Sequence, residues 1–350
     1  MTPISVCIIA KNEEENIEKC LQKLKPYNFE IIVVDTGSTD RTKEIADSYA
    51  TKLVDFTWIN DFSAARNFAA AQATNNWILT LDCDEFITEI NLPGILSLIR
   101  QYPRYVGLLE IENAMLGDDR RTYTTKLVRL YSRKHYQYTG TIHEQVSPLK
   151  SQELVSFDIP LKVYHTGYVG TPEKIAQKNK RNIDLLMTAL SHTQDDAYLY
   201  FQLGQSYVLG DDYESACKWF AEGLSLTSDP NLEYVQTMMV CYGQSLLKLG
   251  QAKMALTFAD HYNSYSRLTD FVYLMGRIYL ANQQPVKALG EFLKAITMPA
   301  GRQQGVNSFL PCYHIARIYD GMNNMEIALM YYKKCGDFPP ALNRLSELME

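Results

Sequence analysis

From about Thr171 onward the chain carries no strand signal, and one residue spacing recurs through that half. Leu203-Gly204 is followed by Tyr207, Ala216 and Phe220. Met275-Gly276 is followed by Tyr279, Ala288 and Phe292, and Ile315-Ala316 by Tyr319, Ala328 and Tyr332. In each copy an aromatic stands three residues after the small one, Ala nine after that, and a second aromatic four further on. Tyr242-Gly243, Leu246, Ala255 and Ala259 make a degenerate fourth copy. A generic helical bundle repeats its period, not its residues. Fixed residues at fixed offsets require one helical unit stacked on copies of itself, with small residues where paired helices cross closely. The second half is therefore expected to be an all-α array, and the first half must build a core of its own.

That first half alternates between strand and helix patterns. Apolar runs at 4–10, 31–34 and 77–81 read as buried strands. Helical stretches are expected at 16–24, with Asn12 as cap and Glu13, Glu14 and Glu15 near its positive end, and at 40–49 and 62–73. This βαβ alternation predicts a mostly parallel, helix-covered sheet. Further strands are expected in a mixed region at 105–112, 126–131 and 161–165.

Two of the strands end in acids. One runs into Asp35-Thr-Gly-Ser-Thr-Asp40, the other into Asp82-Cys83-Asp84. Ligands of parallel α/β sheets bind just beyond the carboxyl ends of the strands. Acids two apart at a strand-to-loop transition can both turn toward one site. Hard divalent cations take oxygen ligands and bridge carboxylates to phosphates. The pair of acidic strand ends points to a nucleoside-diphosphate site.

Composition narrows the partners. A net charge of −6 argues against nucleic acid or an anionic membrane. No apolar run approaches the roughly 18–20 residues of a membrane span. The sequence enters a strand pattern at once, without a basic segment and cleavage site, so a soluble cytoplasmic protein is expected. Seven cysteines without a CxxC pair fit reduced thiols. The 24 tyrosines concentrate where helices should pack, and core filling explains them.

The segments 6–13, 33–40, Ala64-Ala65-Arg66-Asn67 and Asp82-Cys83-Asp84 together resemble family 2 glycosyltransferases of the GT-A fold, and the later offsets resemble tetratricopeptide repeats. The resemblance implies an α/β GT-A catalytic domain, with a Rossmann-like mixed sheet, at 1–170. A connecting helix at 171–197 and an all-α tetratricopeptide-repeat domain at 198–350 follow. Bacterial transferases that fuse these parts are similar, among them enzymes that glycosylate peptides, including the S-glycosyltransferases of glycosylated bacteriocins. What this implies is inverting transfer from a UDP-sugar, with Mn2+ or Mg2+, to Ser, Thr or Cys of a peptide or protein. Two rivals remain: a transferase for a lipid-linked or cell-envelope glycan whose repeats form a homodimer, and a non-enzymatic repeat scaffold.

Residue by residue, Asp35 matches the acid that contacts the uracil or ribose of the donor, although an Asp before Thr-Gly-Ser also reads as a turn former. Ala10, Asn12 and Glu13 would line the base pocket, largely through backbone, and Asp40 would start the next helix. Arg66, followed by Asn67, suits a uracil carbonyl or a phosphate, or else pairs with a nearby acid. Asp82 would face the ribose and Asp84 ligate the metal, with Cys83 turned into the core. His165 resembles the late His that completes the metal shell, or is structural, and Gly167 and Tyr168 would shape the following turn. Glu144, in Gly140-Thr-Ile-His-Glu-Gln145, is the expected base or acceptor-orienting group, with His143 second. The family's usual Glu-Asp pair is absent there, and both residues also read as braces of a loop. Lys174, Lys178, Lys180 and Arg181 form a basic run that reads as a solvated face or as a contact to diphosphate or an acidic acceptor.

Overall fold

The computed structural model describes residues 2–115, 118–166, 172–227 and 229–349. The chain divides into two compact units, Met1–Leu185 and Leu186–Glu350.

In the first unit β1 (Ile4–Ala10), β2 (Glu30–Asp35) and β3 (Lys52–Asp55) alternate with α1 (Ile17–Leu24) and α2 (Thr42–Asp47). Helix α3 (Phe62–Gln72) leads into β4 (Trp77–Asp82), which turns through Cys83 and Asp84 into β5 (Glu85–Ile90). Then come α4 (Leu92–Gln101), β6 (Val106–Met115), β7 (Asp118–Ser132), β8 (Tyr136–Thr139), β9 (Gln145–Pro148) and β10 (Ser156–His165). Helix α5 (Pro172–His192) carries the division between the units. An eight-stranded sheet runs β3-β2-β1-β4-β7-β6-β10-β5, and β8 pairs with β9 separately. The β3-β2-β1-β4 half is parallel, while β7 is antiparallel to both its neighbours and β5 closes the far edge antiparallel to β10.

Burial on both faces explains why the central strands read as unbroken apolar runs. Every residue of β2 is buried. Val6, Ile8, Ile31 and Val33 enter one core with Ile17 and Leu21 of α1. The alternate residues Cys7, Ile32 and Val34 enter a second core with Ala69 and Ala70 of α3.

The structure departs from the sequence expectations at several places. Asn12 does not cap α1; Asn16 stands at that position. Asn12 instead adopts a left-handed φ of 55° and ties the neighbouring loop, accepting from Thr39 N at 2.8 Å. The helix expected at 40–49 is shortened to α2, because Asp40 turns back to accept from Thr42 N at 2.9 Å. Strand β3 gave no apolar run because it is exposed or half-buried along its whole length. The turn expected at Gly167 and Tyr168, and Thr171, lie outside the described residues.

The second unit is helical throughout its described elements. Its helices are α6 (Ala197–Leu209), α7 (Tyr213–Leu226), α8 (Glu233–Lys248), α9 (Ala252–Ala255), α10 (Tyr262–Tyr265), α11 (Thr269–Ala281), α12 (Pro285–Ile296), α13 (Phe309–Gly321), α14 (Met325–Lys333) and α15 (Pro339–Met349). The repeated offsets acquire a direct cause here. A Cβ on Gly204 would lie 2.3 Å from the Phe220 ring, and one on Gly276 would lie 2.5 Å from Phe292. In these two copies the second aromatic therefore packs directly against the small residue of its partner helix. In the degenerate copy Ala259 offers no ring, and the second helix breaks into α9, a tight 3-10 segment and α10.

Candidate active site

Strand register sets the first row of the site. Ala10 pairs with Asp35 and Ile9 with Asp82, so the carboxyl ends of β2, β1 and β4 finish side by side. Asp35 is buried, and its two oxygens do different things. Oδ2 accepts from Gly37 N at 3.0 Å and Ser38 N at 2.9 Å, which closes the turn. Oδ1 is buried with no hydrogen-bond partner among the described residues. A buried acceptor in this state is costly unless a ligand reaches it. The turn role and the nucleotide role are thus compatible. Asn12 N donates to Ser38 Oγ at 2.9 Å and Glu13 N to Thr42 Oγ1 at 2.7 Å, so these backbone groups brace the loop beside Ala10 and Asp35.

A second row comes from the far half of the sheet. Asp82 is gripped from both sides. Arg66 Nη2, on α3, donates to its Oδ1 at 2.8 Å, and Arg129 Nη2, on β7, donates to its Oδ2 at 2.8 Å. Burial opposes ionisation of Asp82, but the Arg129 and Arg66 guanidiniums outweigh it and hold the carboxyl far below its usual range. Arg129 also reaches Glu85 Oε1 at 2.8 Å, and Glu85 Oε2 accepts from Asp82 N at 2.9 Å. Burial, reinforced by the charge of Asp82, pushes Glu85 up to about 7 despite Arg129. Glu85 and Arg129 were not singled out from the sequence. The one available clue was their position: Glu85 directly follows Asp84, and Arg129 opens a segment next to the acceptor-loop cluster.

Arg66 is also the bridge to the remaining acid. Its Nε donates to Glu144 Oε1 at 2.5 Å, and its guanidinium lies over the Tyr138 ring at 5.4 Å. Glu144 sits between β8 and β9, on a loop that is fastened to the start of α3 by Phe62 N donating to Thr141 O at 2.8 Å. Asn67 holds β8 through two bonds of 2.9 Å with the Tyr138 backbone, a bracing role. His143 has a left-handed φ of 51° and its Nε2 is buried without a partner among the described residues. Burial lowers its pKa although Glu144 opposes this, so the ring is neutral near pH 7.

Asp84 and His165 face each other across the β4–β5 turn, with Oδ2 and Nε2 3.4 Å apart. Cys83, between Asp82 and Asp84 in sequence, is buried and turned inward, its Sγ 3.6 Å from Ile9 O. The tautomer of His165 is set by its other nitrogen. Asn113 donates its amide to Ile111 O and Thr125 Oγ1, which leaves Asn113 Oδ1 facing His165 Nδ1 at 2.8 Å. Nδ1 then carries the proton in the neutral ring, and Nε2 presents a lone pair to the Asp84 carboxylate. Two lone-pair groups held this close call for a cation between them. Burial lowers the His165 pKa, but Asp84, Glu85 and Asp82 together hold it above its ordinary value. Among the described residues no group of three or more His, Cys, Asp and Glu is arranged to hold a metal.

Of the basic run, Arg181 of α5 lies over the Phe62 ring at 5.5 Å, and Lys178 is near enough to Glu13 to act on its charge. Both are exposed, as is Lys180, and the Lys174 side chain lies outside the described residues. The structure thus brings Ala10, Asp35, Arg66, Asp82, Asp84, Glu144 and His165 to one edge of the first unit.

Comparison with known proteins finds matches for both halves of the chain. Residues 5–151 match the family "Glycosyl transferase family 2", and residues 197–230 and 311–337 match "Tetratricopeptide repeat". A TPR repeat-containing protein of Synechococcus elongatus is 33% identical over 239 residues, which are 64% of this chain and 57% of the relative. The SPbeta prophage-derived glycosyltransferase SunS of Bacillus subtilis is 27% identical over 295 residues, 81% of this chain and 68% of the relative. Among solved structures, MamA aligns with 52% of this chain and 96% of its own length at 15% identity and a TM-score of 0.40. The first part of the chain thus matches a family 2 glycosyltransferase domain and the second part matches tetratricopeptide repeats, and the chain spans 57% of the length of the Synechococcus relative.

Proposed function

We propose that this chain transfers a sugar, with inversion, from a UDP-sugar to a Ser, Thr or Cys side chain of a peptide or protein, and that it needs manganese or magnesium to do so. The observation that carries the reading is the single edge where Asp35, Asp82 and the Asp84–His165 pair meet Glu144 through Arg66. An oxygen ligand beside an imidazole of fixed tautomer suits manganese better than magnesium. Asp84 and His165 would hold the divalent cation, which would supply charge neutralisation for the departing diphosphate. Asp35 Oδ1 takes the N3–H of uracil, which satisfies its buried lone pairs. Asp82, kept ionised by two guanidiniums, accepts from the ribose hydroxyls. Glu144 takes the proton of the acceptor or orients it, with the neutral His143 ring as the second choice. A thiol acceptor needs less help from either, because some thiolate is present near pH 7. The repeats hold the polypeptide, a role tetratricopeptide arrays allow. No helix of the described residues is long and apolar enough to cross a membrane.

The test is release of UDP from a panel of UDP-sugars with manganese, with and without excess EDTA, for the wild-type chain and Asp84→Ala. Release should need the metal and vanish in Asp84→Ala while the circular dichroism stays unchanged. Full activity in EDTA, or in a folded Asp84→Ala protein, would overturn the metal-dependent mechanism.

A further inference from the structure

Helix α5 is the next element after the strand that delivers His165, separated from it only by residues 166–171. It lies outside residues 5–151, the span that matches the transferase family. Asn179 marks its buried side, with Ile175 and Ile183 half-buried one turn away in either direction. Lys178 and Arg181, three residues apart, stand on one flank of that line, and Lys180 stands on the other. All three are exposed.

The flank with Lys178 and Arg181 reaches two sides of the site. Burial pushes the Glu13 carboxyl up, and Asn16 opposes this; Asp84 and Asp82 add to the rise and Lys178 counters it. Lys178 and Asp84 therefore act on one carboxyl. Arg181 lies over the Phe62 ring at 5.5 Å, and Trp58 meets the same ring edge-on at 4.8 Å. Phe62 starts α3, and its N–H donates at 2.8 Å to Thr141 O in the loop that carries Glu144. Arg66, which holds Asp82, stands one turn further along α3. Lys178 thus approaches the Asp82–Asp84 turn from the β1 side and Arg181 from the α3 side.

Positive charge is scarce inside the site. The two buried guanidiniums, Arg66 and Arg129, are committed to three acids, Asp82, Glu85 and Glu144. A diphosphate gains negative charge as the sugar leaves, because the electrons of the broken bond stay on the phosphate oxygen, and that charge needs fixed partners. Among the described residues neither Lys178 nor Arg181 forms an ion pair, and the Arg181 side chain donates to Asn182 Oδ1 alone, at 3.1 Å. Partial burial lowers the Arg181 pKa with no carboxylate to offset it.

We propose that Lys178 and Arg181 bind the diphosphate of the UDP-sugar and of the UDP it leaves behind. Helix α5 then brings the donor site the positive charge that its buried arginines give up to Asp82, Glu85 and Glu144. An ammonium on a flexible stem and a guanidinium fork both suit phosphate oxygens. This rests on the reading of the site as a UDP-sugar site, and it adds which side chains take the diphosphate.

The test measures binding with manganese present, of UDP by calorimetry and of uridine by ligand-observed NMR. It compares the full wild-type chain with Lys178→Gln/Arg181→Gln and with Lys180→Gln. The double variant should bind UDP about tenfold more weakly or worse, because each lost contact is a hydrogen bond between charged groups. It should bind uridine as the wild type does, and its circular dichroism should be unchanged, which shows that it is folded. Lys180→Gln, which removes the same charge from the other flank, should leave both affinities unchanged. Wild-type UDP binding by the double variant, an equal loss for uridine, or an equal loss in Lys180→Gln would overturn the proposal. Binding of a Glu-Ser repeat peptide that the double variant loses while keeping its UDP affinity would assign the flank to an acidic acceptor instead. A wild-type chain that binds neither UDP nor uridine would sink the UDP-sugar reading, and this proposal with it.

Discussion

Arg129 is shared between two carboxylates, Asp82 and Glu85, and Glu85 is 2% exposed. Removing the cation leaves Glu85 buried without an opposite charge, which is the costly half of breaking a buried ion pair. Arg129→Met should therefore destabilise the chain by about 3 kcal/mol, and adding Glu85→Gln should restore part of that. Urea unfolding of the two single variants and the double variant checks it; strict additivity would show that the two groups are not coupled. The same pair predicts a pH slope. Glu85 keeps its proton up to about 7, against 4.5 for an ordinary carboxyl, so folding stability falls as pH rises between those values, and Glu85→Gln should flatten that fall. Glu144→Gln makes a separate prediction. It preserves an acceptor for Arg66 Nε but removes basicity, so kcat on a hydroxyl acceptor should drop about 10²–10⁴-fold with little change in UDP-sugar binding. A kcat within a few-fold of wild type would leave Glu144 as a positioning group. At this scale the sequence revealed the acids that end strands, because a strand followed by Asp is a local pattern. It could not reveal Arg129, Glu85 or Asn113 as partners. Their roles depend on β7, β5 and β6 lying in one sheet, and that order is set by long-range pairing.

The helical hairpins put a sign on one element-scale prediction. In a helix interior Gly→Ala normally stabilises by about 0.5–1 kcal/mol. Gly290, with nothing within 4 Å of its would-be Cβ, should follow that rule. Gly276 should not, because its Cβ would lie 2.5 Å from the Phe292 ring. Gly276→Ala should lower stability by about 1–3 kcal/mol through overpacking, and Phe292→Leu in the same chain should recover part of the loss. Thermal unfolding of the variants decides between propensity and packing; a raised Tm for Gly276→Ala would refute the contact. This packing is why the repeats were legible: the copies at Gly204 and Gly276 write the same interlocking pair into the sequence at one fixed spacing. The hairpin turns were less legible. Asp211, Gly250, Gln283 and Asn323 each stand seven residues after the small residue and all have positive φ, yet they share no residue type. A left-handed backbone position is filled here by whichever residue tolerates it. Strand β3 and the β8–β9 pair were likewise invisible. They are four residues each, too short to set a period against their turns.

At the scale of the whole molecule, donor chemistry and repeats fall in different units. Every residue proposed for donor, metal and base lies within Met1–Leu185, and the repeat copies lie within Leu186–Glu350. The division falls inside α5, so a cut there would sever a helix whose first part places Lys178 and Arg181 near Glu13 and Phe62. A chain ending after His192 keeps α5 whole. Such a chain should still bind UDP with manganese and should still hydrolyse a UDP-sugar slowly, with water as acceptor. Transfer to the polypeptide acceptor should fall sharply, and the fall should appear in KM rather than in kcat, because the lost contacts hold substrate without touching the reacting atoms. Circular dichroism and UDP binding of the shortened chain establish that it is folded before the comparison is made. A fall in kcat with KM unchanged would place part of the catalytic machinery in the repeats. Equal kcat/KM for the shortened and full chains would show that the repeats do not read the acceptor. In that case sedimentation of the two chains should show a dimer for the full chain alone.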